Sequence, residues 1–182
     1  QALAELQKVM QLGNQSGEVH YALGFVLGKH FEKAMYEARL SGGGDWAKKQ
    51  LKEIEPKYLV PALSSLQRSR AVKLDAPSYL EGLIAYFQRD YPAAIRHADA
   101  ALAQAPWLYE AHKLAGDVHL EQALQARDAG KNDEAEKEFG AAQKSYQEAA
   151  RIGQSDGEVY EGLAESWVRQ IEMAGVRGTS SE

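Results

Sequence analysis

Residues 75–108, DAPSYLEGLIAYFQRDYPAAIRHADAALAQAPWL, contain two helix-forming segments that are joined by a short turn. The pattern restarts 34 residues later, since Gly82 in YLEGL is matched by Gly116 in KLAGD. A period of this length in helix–turn–helix units is typical of repeat proteins, in which each unit buries its apolar face against its neighbours. The sequence therefore predicts an all-α fold of antiparallel helix pairs.

The second segment of each unit carries small residues at helical spacing. Ala94, Ala98 and Ala101 share one face, and a similar small–large–small face surrounds Phe139 in the next unit. Small faces allow two helices to pack near the lower end of the usual axial separation of about 8–10 Å. The first helix of this later unit is predicted to be about two turns longer, and two turns are ~7.2 residues, so the same face stays inward.

The amino-terminal part of the chain is less regular. Residues 2–12 predict a helix, and Ser16 is a good N-cap for the next one. Residues 18–40 form either one long helix or two helices that turn at Gly28, and we favour the long helix because a single glycine costs only ~1 kcal/mol. Ser41-Gly-Gly-Gly-Asp45 predicts a break, most simply a flexible loop.

Further helix boundaries follow from proline and glycine. Pro56 and Pro61 predict a bend, with Pro61 in the first turn of a helix that reaches about residue 74. Residues 155–174 predict a closing helix, and the polar, glycine-rich residues 175–182 predict a flexible tail. We thus predict a single domain over residues 1–174, with about three to four irregular repeats that have lengthened helices in the first and third.

Composition narrows the class of protein. The chain has 182 residues, 45% of them apolar and 26% charged, which is ordinary for a globular protein. It contains no cysteine, so disulfides, thiolate metal sites and cysteine nucleophiles are excluded and a reducing, cytoplasmic location is predicted. A net charge of −5 argues against a nucleic-acid-binding surface, and the sequence has no apolar run long enough for a membrane span. Because the chain begins at Gln1 rather than Met, we expect it to be part of a longer protein.

Together these features resemble the tetratricopeptide repeat (TPR) family. In the central unit the resemblance rests on Gly82, on Tyr91-x-x-Ala94 and on Pro106, and it continues through Gly116. It is good over residues 75–152 and partial over 15–40 and 155–174; Glu81 and Glu161 occupy positions that are usually aliphatic in the family. The resemblance implies a TPR-like superhelix whose first helices line a concave, peptide-binding face.

A narrower resemblance concerns two phrases, LEGLIAYFQRDYPAAI and APWLYEAHKLAGDVHL. They resemble the TPR-like region that follows the catalytic domain of some bacterial serine/threonine protein kinases. The chain has no glycine-rich phosphate loop, His-Arg-Asp or Asp-Phe-Gly motif of its own. The resemblance therefore implies a structural, dimerising or regulatory segment without catalytic activity, and this is the alternative to a peptide-binding module.

Transferring the family's concave positions to this chain gives a candidate binding face on three first helices. The predicted binding residues are Tyr79, Leu83, Tyr86, Phe87, Lys113, Asp117, Leu120, Glu121 and Trp167. The face is aromatic at one end and acidic at the other. It contains one cation, Lys113, so we predict a protein or peptide partner with apolar anchors and basic residues rather than an acidic tail. An interpretation of Tyr79 and Tyr86 as core residues remains equally open, as does a homodimer.

No catalytic site, cofactor or metal site is predicted. His112 and His119 share a helical face but lie two turns apart, about 10 Å, whereas metal ligands must approach within about 2 Å. We interpret these histidines as polar residues in the seam between helices. Glu110, Asp117 and Glu121 lack a nucleophile and oxyanion donors beside them in the sequence, so a charged surface or a groove lining is favoured over hydrolytic chemistry.

Overall fold

The computed structural model describes residues 2–179, and within them all regular secondary structure is helical, with no strands, as predicted. In chain order the helices are α1 (Ala2–Gln11), α2 (Gly17–Ile54), α3 (Val60–Arg68), α4 (Pro77–Phe87), α5 (Tyr91–Gln104), α6 (Tyr109–Asp128), α7 (Asn132–Ile152) and α8 (Gly157–Thr179). A π-helical turn (Glu55–Leu59) precedes α3, and a 3-10 turn (Ser69–Ala71) follows it. The chain divides into two compact units, Gln1–Leu80 and Glu81–Glu182.

In the first unit, α2 is one helix across Gly28, which confirms the favoured reading of residues 18–40. Its start is capped as predicted, because the Ser16 hydroxyl accepts a hydrogen bond from the Val19 amide at 3.4 Å. The helical hydrogen bonding also continues through residues 41–45, so the prediction of an irregular loop there was wrong. Glycine lowers helix propensity by only ~1 kcal/mol per residue, which packing elsewhere along a long helix can offset.

The chain nevertheless reverses its direction at these glycines. The rings of His30 and Tyr58 stack with centroids 5.6 Å apart, although a straight helix would carry residue 54 about 36 Å beyond His30. A Cβ atom on Gly42 would lie 2.6 Å from the Cβ of Trp46, whereas a regular helix separates such atoms by about 5–6 Å. The helix is therefore sharply bent, and α2 has two arms that run back along each other.

Helix α3, which follows the second arm in the chain, packs closely on the first arm at another glycine. A Cβ on Gly24 would lie 2.7 Å from the Leu66 Cγ and 2.9 Å from the Leu66 amide nitrogen. Leu66 is fully buried, and Leu23, Leu27 and Ala62 form a cluster against which part of α1 packs. The first unit is thus a long helical hairpin with α1 against it.

The second unit begins within α4 and confirms most predicted helix limits. Asp90 caps α5 by accepting a hydrogen bond from the Ala93 amide at 3.1 Å. Gly130 has φ +73° in the turn before α7, and Lys131 precedes the first residue of that helix. The small faces are fully buried: Ala94, Ala98, Ala101, Ala135, Phe139 and Ala142 are each 0% exposed.

The last helix runs further than the sequence predicted. α8 begins after Asp156, whose carboxylate accepts a hydrogen bond from the Glu158 amide at 2.9 Å. It then continues through Gly175 and Gly178 to Thr179, where an irregular tail was expected, because each glycine lowers helix propensity by only ~1 kcal/mol. Residues 180–182 of the predicted tail lie outside the described residues. No helix in the described range has the length and apolarity that would be needed to cross a bilayer.

Candidate functional site

The side chain of Tyr146 packs against both of the first helices α6 and α8. Its ring on α7 is 1% exposed and lies between two glycines of neighbouring helices. A Cβ on Gly116 of α6 would approach the ring to 2.7 Å, and one on Gly162 of α8 would approach it to 2.5 Å. Both glycines are therefore required for this close packing, and Gly116 is one of the residues on which the family resemblance rests.

A polar network extends from Tyr146 toward the predicted face. The Tyr146 hydroxyl donates a hydrogen bond to Asp117 Oδ1 at 2.8 Å, and Lys113 Nζ lies 2.9 Å from Asp117 Oδ2. Glu158 on α8 lies 3.6 Å from the same ammonium group. The Lys113 side chain is only 12% exposed, so its charge is neutralised by two carboxylates and is not directed toward solvent.

A second connection links Tyr86 with the far end of α6. The Tyr86 ring lies 6.4 Å from the ring of Tyr91, and the Tyr91 hydroxyl accepts a hydrogen bond from Gln125 Nε2 at 3.0 Å. Gln125 follows Glu121 by four residues, so the two side chains occupy one face of α6. Tyr86 also packs against a cluster that contains Val118, three residues before Glu121, so Tyr86 and Glu121 lie in the same part of the unit, and both are partly exposed.

The predicted residues differ in accessibility. Tyr79, Leu83 and Phe87 are buried, with 9%, 6% and 5% of their surface exposed. These side chains therefore contribute to packing, which is the interpretation that the sequence left open for Tyr79. Leu120 is partly buried among residues of α6, α7 and α8, whereas Trp167 is 46% exposed on α8 and stands outside the polar network described above.

Sequence reasoning missed Tyr146 and Glu158 as members of this site. Tyr146 lies 30 residues from Gly116, so no local pattern connects them. One sequence signal could have indicated the packing around Tyr146. Gly116 and Gly162 occupy equivalent positions of two first helices, and in a close-packed interior the space left by a missing side chain is filled by a large neighbour. The same signal at Gly24 would have indicated a large neighbour, which the structure shows to be Leu66.

The histidines lie in helix seams, as the sequence suggested. His119 Nδ1 is 2.7 Å from a carboxylate oxygen of Glu138, which connects α6 with α7. His112 is partly buried on α6. Among residues 2–179, no cluster of three or more potential ligands is arranged to hold a metal ion.

Burial of His112 makes stability depend on pH. Burial lowers the pKa of His112 below its ordinary 6.5, with smaller opposing influences from Glu148 and Asp99 and a reinforcing one from Arg151. The unfolded chain therefore binds the proton more strongly, and stability present above pH 6.5 is lost as pH falls further. When pH is lowered from 7.5 to 5.5, we expect the free energy of unfolding to decrease less in the His112→Gln variant than in the wild type. Urea titrations at the two pH values measure both decreases. Equal losses in both proteins would contradict this origin.

Comparisons with known proteins identify no relative. No family model, no curated protein and no solved structure matches this chain.

Proposed function

We propose that this chain is a TPR-like helical repeat module that binds a protein segment on the face of its first helices. The alternation of first and second helices supports this proposal, together with a glycine at each close crossing. Gly24 lies against Leu66, Gly82 lies against Leu114 and, less closely, His97, and Gly116 lies against Tyr146. Such regular crossings are what stacking of helical hairpins requires, because a small residue lets two helix axes approach.

The charge of this face favours a partner with basic residues. Lys113 is the one cation that the sequence places there, and Asp117 and Glu158 hold it at 2.9 and 3.6 Å. A carboxylate ligand would have to compete with both of them. Glu121 adds a further negative charge in the same part of the unit as Tyr86, and both residues are partly exposed, so an aromatic ring and an acidic side chain are available there. We infer a partner segment with an apolar anchor and neighbouring lysine or arginine.

Selection from a random peptide library tests this function. We expect peptides enriched in one apolar residue beside Lys or Arg, and we expect Tyr86→Ala to weaken the selected peptides about 30-fold, as removal of an interface hot spot of about 2 kcal/mol does. Glu121→Lys should weaken them further at low ionic strength. Asp117 is left unchanged because it holds Lys113 and Tyr146.

Glu53→Lys provides the control, because Glu53 is an exposed glutamate of α2 in the other unit. It should leave affinity unchanged. Selection of acidic peptides, or no enrichment, would refute the proposed partner. A stable dimer in sedimentation that covers the face of α4 would refute peptide binding there.

A further inference from the structure

The outer face of α8 carries a continuous row of exposed apolar side chains. Exposure is 45% for Tyr160, 46% for Trp167, 48% for Val168 and 67% for Ile171, and Ala164 is also exposed. Their spacing places all five on one side of the helix, over about 16 Å of its length. We refer to these five residues as the α8 stripe.

The opposite face of α8 is already used for packing. Val159 and Ser166 are 0% exposed and Met173 is 6% exposed. Val159 belongs to the cluster around Tyr146, and Met173 to the cluster around Phe139. The helix is thus apolar on two sides. An exposed apolar patch of this kind marks an interaction site.

The position of the stripe indicates what would cover it. The preceding first helix, α6, packs along α7, which follows it in the chain. Within residues 2–179, α8 is the last helix, and none follows to pack on it in the same way. An added helix would complete α8 as α7 completes α6. Three turns of the stripe are enough to align such a helix.

Charge along the stripe specifies the chemistry of that helix. Between Gly157 and Gly175, α8 carries four glutamates and one arginine. Glu161, Glu165 and Glu172 recur at helical spacing along the Val168 side of the stripe. Arg169 lies behind them, with its guanidinium 2.6 Å from Glu165 and 2.9 Å from Glu172, and it orders these two carboxylates. The net charge of this flank remains negative.

A second copy of α8 fits this surface poorly in an antiparallel pair. Two-fold symmetry places each flank of one helix against the same flank of its partner. The row of Glu161, Glu165 and Glu172 would then lie against an identical row. Like charges at such distances oppose association, whereas lysine or arginine in those positions would favour it.

We propose that the α8 stripe binds an amphipathic helix whose apolar face is bordered by lysine or arginine residues. The stripe shares Trp167 with the predicted binding residues, but its decisive residues, Val168 and Ile171, do not belong to the face proposed above. Failure of one proposal therefore leaves the other intact.

Two labelled helical peptides of about 20 residues, which span about 30 Å, test this inference on the full 182-residue chain. Both peptides have the same leucine face. The residues that flank this face are lysine and arginine in the basic peptide and glutamate in the acidic peptide. We expect the basic peptide to bind at least about tenfold more tightly in fluorescence anisotropy at low salt, with a smaller difference at ~1 M salt because charges are then screened. Glu161→Lys with Glu172→Lys should reverse the preference.

The double variant Val168→Lys and Ile171→Lys should reduce binding of the basic peptide at least about tenfold, because it buries charge in the contact. Val60→Lys is the matched control, since Val60 is a similarly exposed valine, at 56%, in the other unit, and it should bind normally. Circular dichroism verifies that each variant is folded. Equal affinity for both peptides, or unchanged binding by the double variant, would overturn the proposal. A dimer that this variant dissolves would overturn it as well and assign the stripe to a second copy.

Discussion

Replacing Tyr146 with alanine is expected to lower the free energy of unfolding by about 3–5 kcal/mol, as removal of a large buried aromatic side chain does. The ring is 1% exposed between Gly116 and Gly162, and neither glycine has a side chain that could fill the space. The change also removes the hydroxyl that donates to Asp117 at 2.8 Å. Urea unfolding followed by circular dichroism measures the loss.

Two further variants separate the causes of this loss. Tyr146→Phe keeps the ring and removes only the hydrogen bond to a charged acceptor, so we expect a loss of about 1.5–3 kcal/mol. Tyr160→Ala removes a tyrosine that is 45% exposed in the same unit, and its cost should not exceed about 1 kcal/mol. If Tyr146→Ala cost no more than Tyr160→Ala, the described packing of α6, α7 and α8 would be wrong.

Two glycine-to-alanine changes on adjacent helices are expected to have opposite effects on stability. The Cβ added by Gly116→Ala would lie 2.7, 2.8 and 3.0 Å from three ring atoms of Tyr146. The buried ring cannot move freely, so we expect a loss of about 1–3 kcal/mol, typical of overpacking. Gly140 on α7 is exposed, and a Cβ there would meet no atom of the described residues within 4 Å.

Gly140→Ala should therefore stabilise the chain by about 0.4–1 kcal/mol, because alanine restricts the unfolded chain and favours the helix. The shift of the urea midpoint in each variant, at an unchanged slope, gives the sign of the effect. Helix propensity alone would make both changes stabilising. A gain in stability from Gly116→Ala would thus contradict the close crossing of α6 and α7.

Most helix limits were predictable because they depend on neighbours a few residues away. Ser16 and Asp90 act as N-caps, and both are recognisable from residue type and position alone. The buried faces of α5 and α7 were predictable for the same reason, since residues three and four positions apart share a helix face. At residues 41–45 the same local rules predicted an irregular loop, because three consecutive glycines disfavour a helix. The structure has a bent helix there instead.

The candidate site was predictable only in part. Asp117, Lys113 and Glu121 were identified from their place on α6, and the structure joins Lys113 to Asp117. Their surroundings were not predictable, because the hydroxyl of Tyr146 reaches Asp117 across 29 residues of sequence. Burial of Leu83 and Phe87 was not predictable either, because an apolar side chain on a repeat helix can line a groove or pack in the core.

The sequence by itself determined that the chain is helical, where most helices begin and end, and that small residues bring pairs of helices together. These properties follow from hydrogen bonds and side-chain contacts within one or two turns. Only the tertiary structure decided that α2 folds back at its glycines, that Tyr146 fills the space between Gly116 and Gly162, and that the α8 stripe stays exposed. Each of these depends on which distant segment occupies the neighbouring space, and no local pattern specifies that segment.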